Sequence, residues 1–127
     1  MPFVRISLMK GKSANYQKNV GDIVYQAMIN TLNVPQNDRF QVITEHDPSG
    51  LIYDPNHLGI QRTDDIIIIQ LVLNEGRTVD LKKSFYQQVA NDLHEQLDVR
   101  PEDIFINLVE VKKENWSYGN GIAQYAQ

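Results

Sequence analysis

Ile66-Ile67-Ile68-Ile69-Gln70-Leu71-Val72-Leu73, followed by Gly76 and Thr78, decides the fold, because it restates what Phe3-Val4-Arg5-Ile6-Ser7-Leu8-Met9, Gly11 and Ser13 say 65 residues earlier. At that one offset Leu8 falls on Leu73, Gly11 on Gly76, Lys18 on Lys83, Val24 on Val89, Leu32 on Leu97, Val34 on Val99, Asp38 on Asp103 and Phe40 on Phe105. Self-similarity at a fixed spacing marks a structural unit written twice. Each copy opens with a β-rich run that reads as a strand. A glycine turn follows, then a hydroxyl residue suited to a helix N-cap, Ser13 or Thr78.

Past those caps the apolar residues recur with helical spacing. Val20, Ile23, Val24, Ala27, Met28 and Leu32 share one face, and Leu81, Phe85, Val89, Leu93 and Leu97 share the other copy's face. Proline turns at Pro35 and Pro101 are expected to close the helices, with second strands at 39–45 and 104–111. The plan is β-α-β twice, over about 2–46 and 66–111, within a single α+β domain spanning 1–127. A strand, a helical crossover and a second strand favour a parallel pair with a right-handed crossover. Two such halves predict a four-stranded sheet with both helices on one face. The isoleucine run at 66–69 leaves little room for a solvated opposite face, so an oligomer is expected to cover it. The linking segment 47–65 and the aromatic tail 112–127 read as loops or hairpins used in assembly or site building.

Composition narrows the function classes. The chain has 127 residues, 42% of them hydrophobic, enough for one continuous core. Its 12 basic and 16 acidic residues give a net charge of −4, and no cluster of basic residues argues for nucleic acid. It has no cysteine, no signal-like start and no apolar run near the roughly 18 residues that a membrane span requires. A soluble, cytoplasmic protein is expected. His46, His57 and His94 have no spacing that would gather them on one helix as metal ligands, so no metal site is predicted.

Pro2, directly after Met1, is exposed as the terminus when Met1 is removed. Its ring nitrogen is then a secondary amine: as a base it serves near neutral pH, and protonated beside carboxylates it serves as an acid. The plain alternative is that it merely begins an edge strand. Arg77 suits a bidentate grip on a carboxylate or enolate oxygen, or is a surface arginine after Gly76. Arg5 and Arg39 read as solvated or paired strand residues. Asp38 shares its spacing with Asp103, which also fits a turn-capping role.

Pro2 leading a strand, the duplication, Asp38-Arg39-Phe40, Gly76-Arg77 and the closing Asn115-Trp116-Ser117-Tyr118-Gly119 together resemble the tautomerase superfamily, whose fold is that of 4-oxalocrotonate tautomerase and MIF. The similarity runs over essentially the whole chain and is greatest to the malonate semialdehyde decarboxylase-like branch. The resemblance implies a trimer, no cofactor, and small keto or enol carboxylic acids as substrates. It implies Pro2 as the catalytic acid or base, Asp38 as an aspartate orienting water or the substrate carbonyl, and Arg77 as an arginine gripping the carboxylate. Trp116 and Tyr118 are then the aromatic wall of the substrate pocket. A second family arginine is replaced by Glu75, which favours tautomerisation over decarboxylation or hydration. A different class is also compatible with the strand order: a non-enzymatic ferredoxin-like module that binds metabolites.

Overall fold

Both helices begin and end on equivalent residues of the two halves. In a computed structural model, which describes residues 2–126, α1 (Ala14–Leu32) starts where the Ser13 side chain accepts the Tyr16 amide. The second helix, α2 (Val79–Leu97), starts where Thr78 accepts the Leu81 amide. Each cap satisfies a donor that the first helical turn leaves without a partner. The helices end at Asn33 (φ 58°) and Asp98 (φ 56°), both left-handed. These αL caps, rather than the prolines, close the helices. Pro35 and Pro101 belong to the turns beyond, where the Asp38 and Asp103 amides donate to the carbonyls of Pro35 and Arg100.

The strands are β1 (Phe3–Met9), β2 (Gln41–His46), β3 (Ile67–Asn74) and β4 (Ile104–Val111), in the spatial order β2-β1-β3-β4. The pairs β1/β2 and β3/β4 are parallel, and β1/β3 is antiparallel. Arg5 sits opposite Gln70, its own counterpart in the repeat, so a local two-fold axis passes between them. This is the expected duplicated β-α-β sheet. Two strand starts differ. The second strand begins at Gln41, not Arg39, because the Arg39 guanidinium turns to Asp22 on α1 at 2.8 Å and lies over the Tyr25 ring. The third begins at Ile67, because the Ile66 amide closes a turn onto the Thr63 carbonyl.

Alternation along the strands sorts the side chains. Val4, Ile6 and Leu8 of β1 and Ile67, Ile69, Leu71 and Leu73 of β3 form the core with the predicted helix faces. The other sheet face is not wholly bare. Segment 47–65 holds one short helical turn, His57–Gly59, and lays Leu51 against Met9 and Ile66. Elsewhere that face stays open, with Phe40 52% and Phe105 46% exposed. Arg5 is exposed and rests over the Phe3 ring, and His94 is exposed on α2. Among the described residues no helix is long and apolar enough to cross a membrane.

Candidate active site

The pairing pattern brings one set of chain ends together. Because β1 and β2 run parallel and β3 runs against them, the start of β1, the start of β2 and the end of β3 share one end of the sheet. Pro2, the 38–40 step and the 74–77 step therefore converge from distant parts of the sequence. Met1, whose removal the amine chemistry requires, lies outside the described residues.

Pro2 is buried. With Phe3, Phe40, Trp116, Ser117 and Tyr118 it lines a cleft of about 220 Å³. The tail builds the outer wall. Trp116 and Tyr118 stack with ring centres 5.4 Å apart and planes 12° from parallel, and Tyr125 meets Tyr118 edge-on at 5.7 Å. Gln124 clasps the turn, accepting the Tyr118 amide and donating to the Gly119 carbonyl, both at 2.9 Å. Asn74 ties this wall to the sheet, its Oδ1 accepting the indole N–H of Trp116 at 2.8 Å.

Asp38 and Arg77 stand beside the cleft rather than in its wall. Arg77 donates through Nε to the Leu32 carbonyl at 2.7 Å and through Nη1 to the Asn74 carbonyl at 3.2 Å. The first of these bonds satisfies an end carbonyl of α1. Of the five guanidinium N–H groups, three have no partner among the described residues. Burial pulls the Arg77 pKa down, while Glu110 and Asp38 oppose the shift. Asp38 is a buried carboxylate, 5% exposed, within electrostatic reach of both Arg77 and Tyr118. The Tyr118 hydroxyl is buried with no hydrogen-bond partner among the described residues, and burial, Tyr125 and Asp38 together push its pKa up. Glu75 is exposed, its amide donating to the Val111 carbonyl.

The cleft thus gathers Pro2, Trp116 and Tyr118, with Asp38 and Arg77 adjacent. Sequence reasoning missed Phe3, Phe40, Asn74 and Gln124. The same 65-residue offset carried further lays Leu51-Ile52-Tyr53 on Trp116-Ser117-Tyr118, so the segments that wall the two ends of the sheet also correspond. A second cleft, of about 210 Å³, occupies the equivalent place at the other end of the sheet. Ile68, Phe105, Ile52 and Tyr53 line it where Phe3, Phe40, Ser117 and Tyr118 line the first.

Two family models, both described as tautomerase enzyme, match residues 38–119 and 2–61. The probable tautomerase YusQ of Bacillus subtilis (strain 168) is 43% identical over 98% of this chain and 98% of its own. A crystal structure of the malonate semialdehyde decarboxylase FG41, inhibited by 3-bromopropiolate, is 34% identical. It covers 97% of this chain and 93% of its own, with a TM-score of 0.89. A fused 4-OT symmetric trimer shares the fold at 15% identity, with 94% of each chain covered and a TM-score of 0.75.

Proposed function

The chain belongs to the tautomerase family and is an enzyme of that class, and on this premise we propose that it interconverts keto and enol forms of small carboxylic acids through the amine of Pro2. That membership sets aside the non-enzymatic binding module. The observation that carries the reading is the burial of Pro2 in an apolar cleft flanked by Asp38 and Arg77.

With Met1 removed, the Pro2 nitrogen is an amine of reference pKa about 7.7–8, and an apolar wall lowers that value by disfavouring the charged form. As a base it takes the proton from the carbon next to the substrate carbonyl. The C–H electron pair becomes the C=C bond, and the carbonyl oxygen takes first the charge and then the proton. Ketonisation is the reverse. The N–H groups of Arg77 that have no partner among the described residues grip the substrate carboxylate and stabilise charge as it develops on the neighbouring oxygen. Asp38 orients the reacting carbonyl through a water held between the two oxygens, since an ionised carboxylate offers no donor of its own, while Trp116 and Tyr118 hold the substrate's apolar part. No cofactor enters these steps. The open sheet face with Phe40 and Phe105, together with the trimeric 4-OT relative, supports a homotrimer.

The test is intact mass of protein made without a tag, followed by ketonisation of phenylpyruvate enol by the same material. Protein lacking Met1 is active, while retention of Met1 turns the amine into an amide and abolishes turnover. Pro2→Ala lowers kcat/KM by about 10²-fold or more, the usual contribution of a positioned acid or base. Full activity in that variant refutes the mechanism, and a monomer in the native mass spectrum refutes the trimer. A second reading, decarboxylation or hydration with a protonated Pro2, draws on the 34% identity with a malonate semialdehyde decarboxylase. Carbon dioxide release from malonate semialdehyde separates the two, and the loss of positive charge at Glu75 favours tautomerisation.

A further inference from the structure

Trp116 comes from the tail that follows the last strand, and its ring forms a wall of the Pro2 cleft. The bond that fixes it to the sheet runs from indole Nε1 to Asn74 Oδ1, at 2.8 Å. Asn74 is the last residue of β3, on the face that also carries Ile68, Gln70 and Val72. Its backbone carbonyl accepts Arg77 Nη1 at 3.2 Å, so one residue touches both the aromatic wall and the cation. Its counterpart in the first half is Met9, which packs under Leu51, the counterpart of Trp116. The same two positions thus meet at both ends of the sheet, through apolar contact at one and through a hydrogen bond at the other. An apolar contact is non-directional. An indole N–H meeting an amide oxygen fixes the ring's rotation as well as its position.

We propose that Asn74 is a positioning residue for substrate binding: its side-chain oxygen sets the orientation of Trp116, so that the indole lies flat against Tyr118 and presents one face to the substrate's apolar part. The substrates favoured are therefore carboxylic acids with a planar unsaturated or aromatic portion next to the keto or enol carbon, which stack on that face. The inference rests on the tautomerase reading for its substrate, while the Asn74–Trp116 coupling has a readout of its own.

Trp116 is the only tryptophan in the chain, so intrinsic fluorescence reports on that ring alone. Asn74→Leu removes the acceptor and leaves the backbone carbonyl that holds Arg77. Emission then shifts relative to the native protein. On phenylpyruvate enol, KM rises about tenfold with kcat held within about twofold, as expected when binding common to ground and transition states is lost. Asn74→Asp keeps an acceptor oxygen and returns the native emission. In a Trp116→Phe background, which lacks the indole donor, Asn74→Leu has no further effect on KM. Native emission and native KM in Asn74→Leu overturn the proposal, as does additivity of the two substitutions. Should Asn74→Leu fail to fold, Asn74→Ala takes its place: a shifted emission with a raised KM supports the coupling, and native emission with an unchanged KM overturns it. Full turnover in Pro2→Ala, with the emission shift of Asn74→Leu still present, refutes the proline mechanism and leaves the Asn74–Trp116 coupling standing.

Discussion

At one end of the sheet the buried carboxylate of Asp103 takes the Thr63 amide at 2.6 Å and the Thr63 hydroxyl at 2.7 Å, with Arg100 at 3.5 Å. At the other end its repeat counterpart Asp38, also buried, stands within reach of a guanidinium and a tyrosine that walls a cleft. Both aspartates occupy the same turn of the same β-α-β unit. What differs is the segment laid over them. Segment 47–65 supplies the Thr63 partners of Asp103, whereas Asp38 stands within electrostatic reach of Arg77 and of Tyr118 from the aromatic tail. A shared position in a repeat therefore fixes geometry and not role; the neighbours that the rest of the chain supplies decide the chemistry.

The sharpest way to break this comparison is to remove both carboxylates in turn. Asp103→Ala leaves the Thr63 amide and hydroxyl without their acceptor inside the protein, and a charged acceptor of that kind is worth about 3 kcal/mol. Urea denaturation registers that loss, while turnover per folded molecule stays native. Asp38→Ala lowers kcat/KM by about 10²-fold, in line with the loss of a group that orients the reacting carbonyl. If Asp38→Ala reduces stability and leaves turnover alone, both aspartates are caps and the two ends do not differ in kind.

Arg77 and Lys12 carry the comparison one step further, since they are counterparts at the start of the two helical crossovers. Lys12 pairs with Asp65 at 2.7 Å and sits over the Tyr16 ring. Lys12→Met changes stability by less than about 1 kcal/mol, as partly exposed ion pairs do, and leaves KM unchanged. The hydrogen bond to Asp65 raises the Lys12 pKa above 10.5, against the opposing effect of burial. A raised lysine pKa stabilises the fold fully below the unfolded value and less as pH rises through the folded one. The Lys12 contribution therefore fades in strongly alkaline solution, a pH dependence that Lys12→Met lacks. Arg77→Met raises KM for a keto acid by about tenfold or more, since a charge-assisted bidentate contact is lost. It also costs stability, because the Leu32 and Asn74 carbonyls lose their donor.

The four strands, their parallel pairing within each half and both helices were legible because they rest on local signals: period-2 and period-3.6 patterns and the hydroxyl caps Ser13 and Thr78; the spatial order, with β1 and β3 antiparallel at the centre, was not. The duplication also exposed the Asp38/Asp103 pair. The site was legible only as far as single residues went. Nothing local to Asn74 announces the indole 42 residues away that its side chain receives, and nothing around Gln124 announces the clasp on Tyr118. Such bonds depend on where a tail without strong periodicity lands, which is a tertiary fact. The αL endings at Asn33 and Asp98 were readable from residue type, since Asn and Asp tolerate that conformation, but the nearby prolines were the louder signal. Arg39 illustrates the opposite error: its β-like neighbourhood pointed to a strand, and the Asp22 carboxylate on α1 drew it out of the ladder.

The tyrosine pair gives the smallest and most discriminating difference. Tyr53 and Tyr118 are counterparts, each lining its cleft. The Tyr53 hydroxyl donates to Asp64 at 2.7 Å in an exposed setting, whereas the Tyr118 hydroxyl is buried with no partner among the described residues. Removing an exposed hydrogen bond costs little, about 0.5 kcal/mol, while a buried polar group left unsatisfied costs about 1 kcal/mol or more. Phe at the two positions should therefore move stability in opposite directions: Tyr53→Phe lowers it slightly and Tyr118→Phe raises it by about 1 kcal/mol. Urea midpoints measured at a common m-value decide the sign. A gain at 118 combined with weaker turnover would mean that this end of the sheet sacrifices stability for its cleft, as functional sites do. A loss at 118 exceeding that at 53 would mean that the Tyr118 hydroxyl is satisfied in solution, and the two ends would then differ in their charged residues alone.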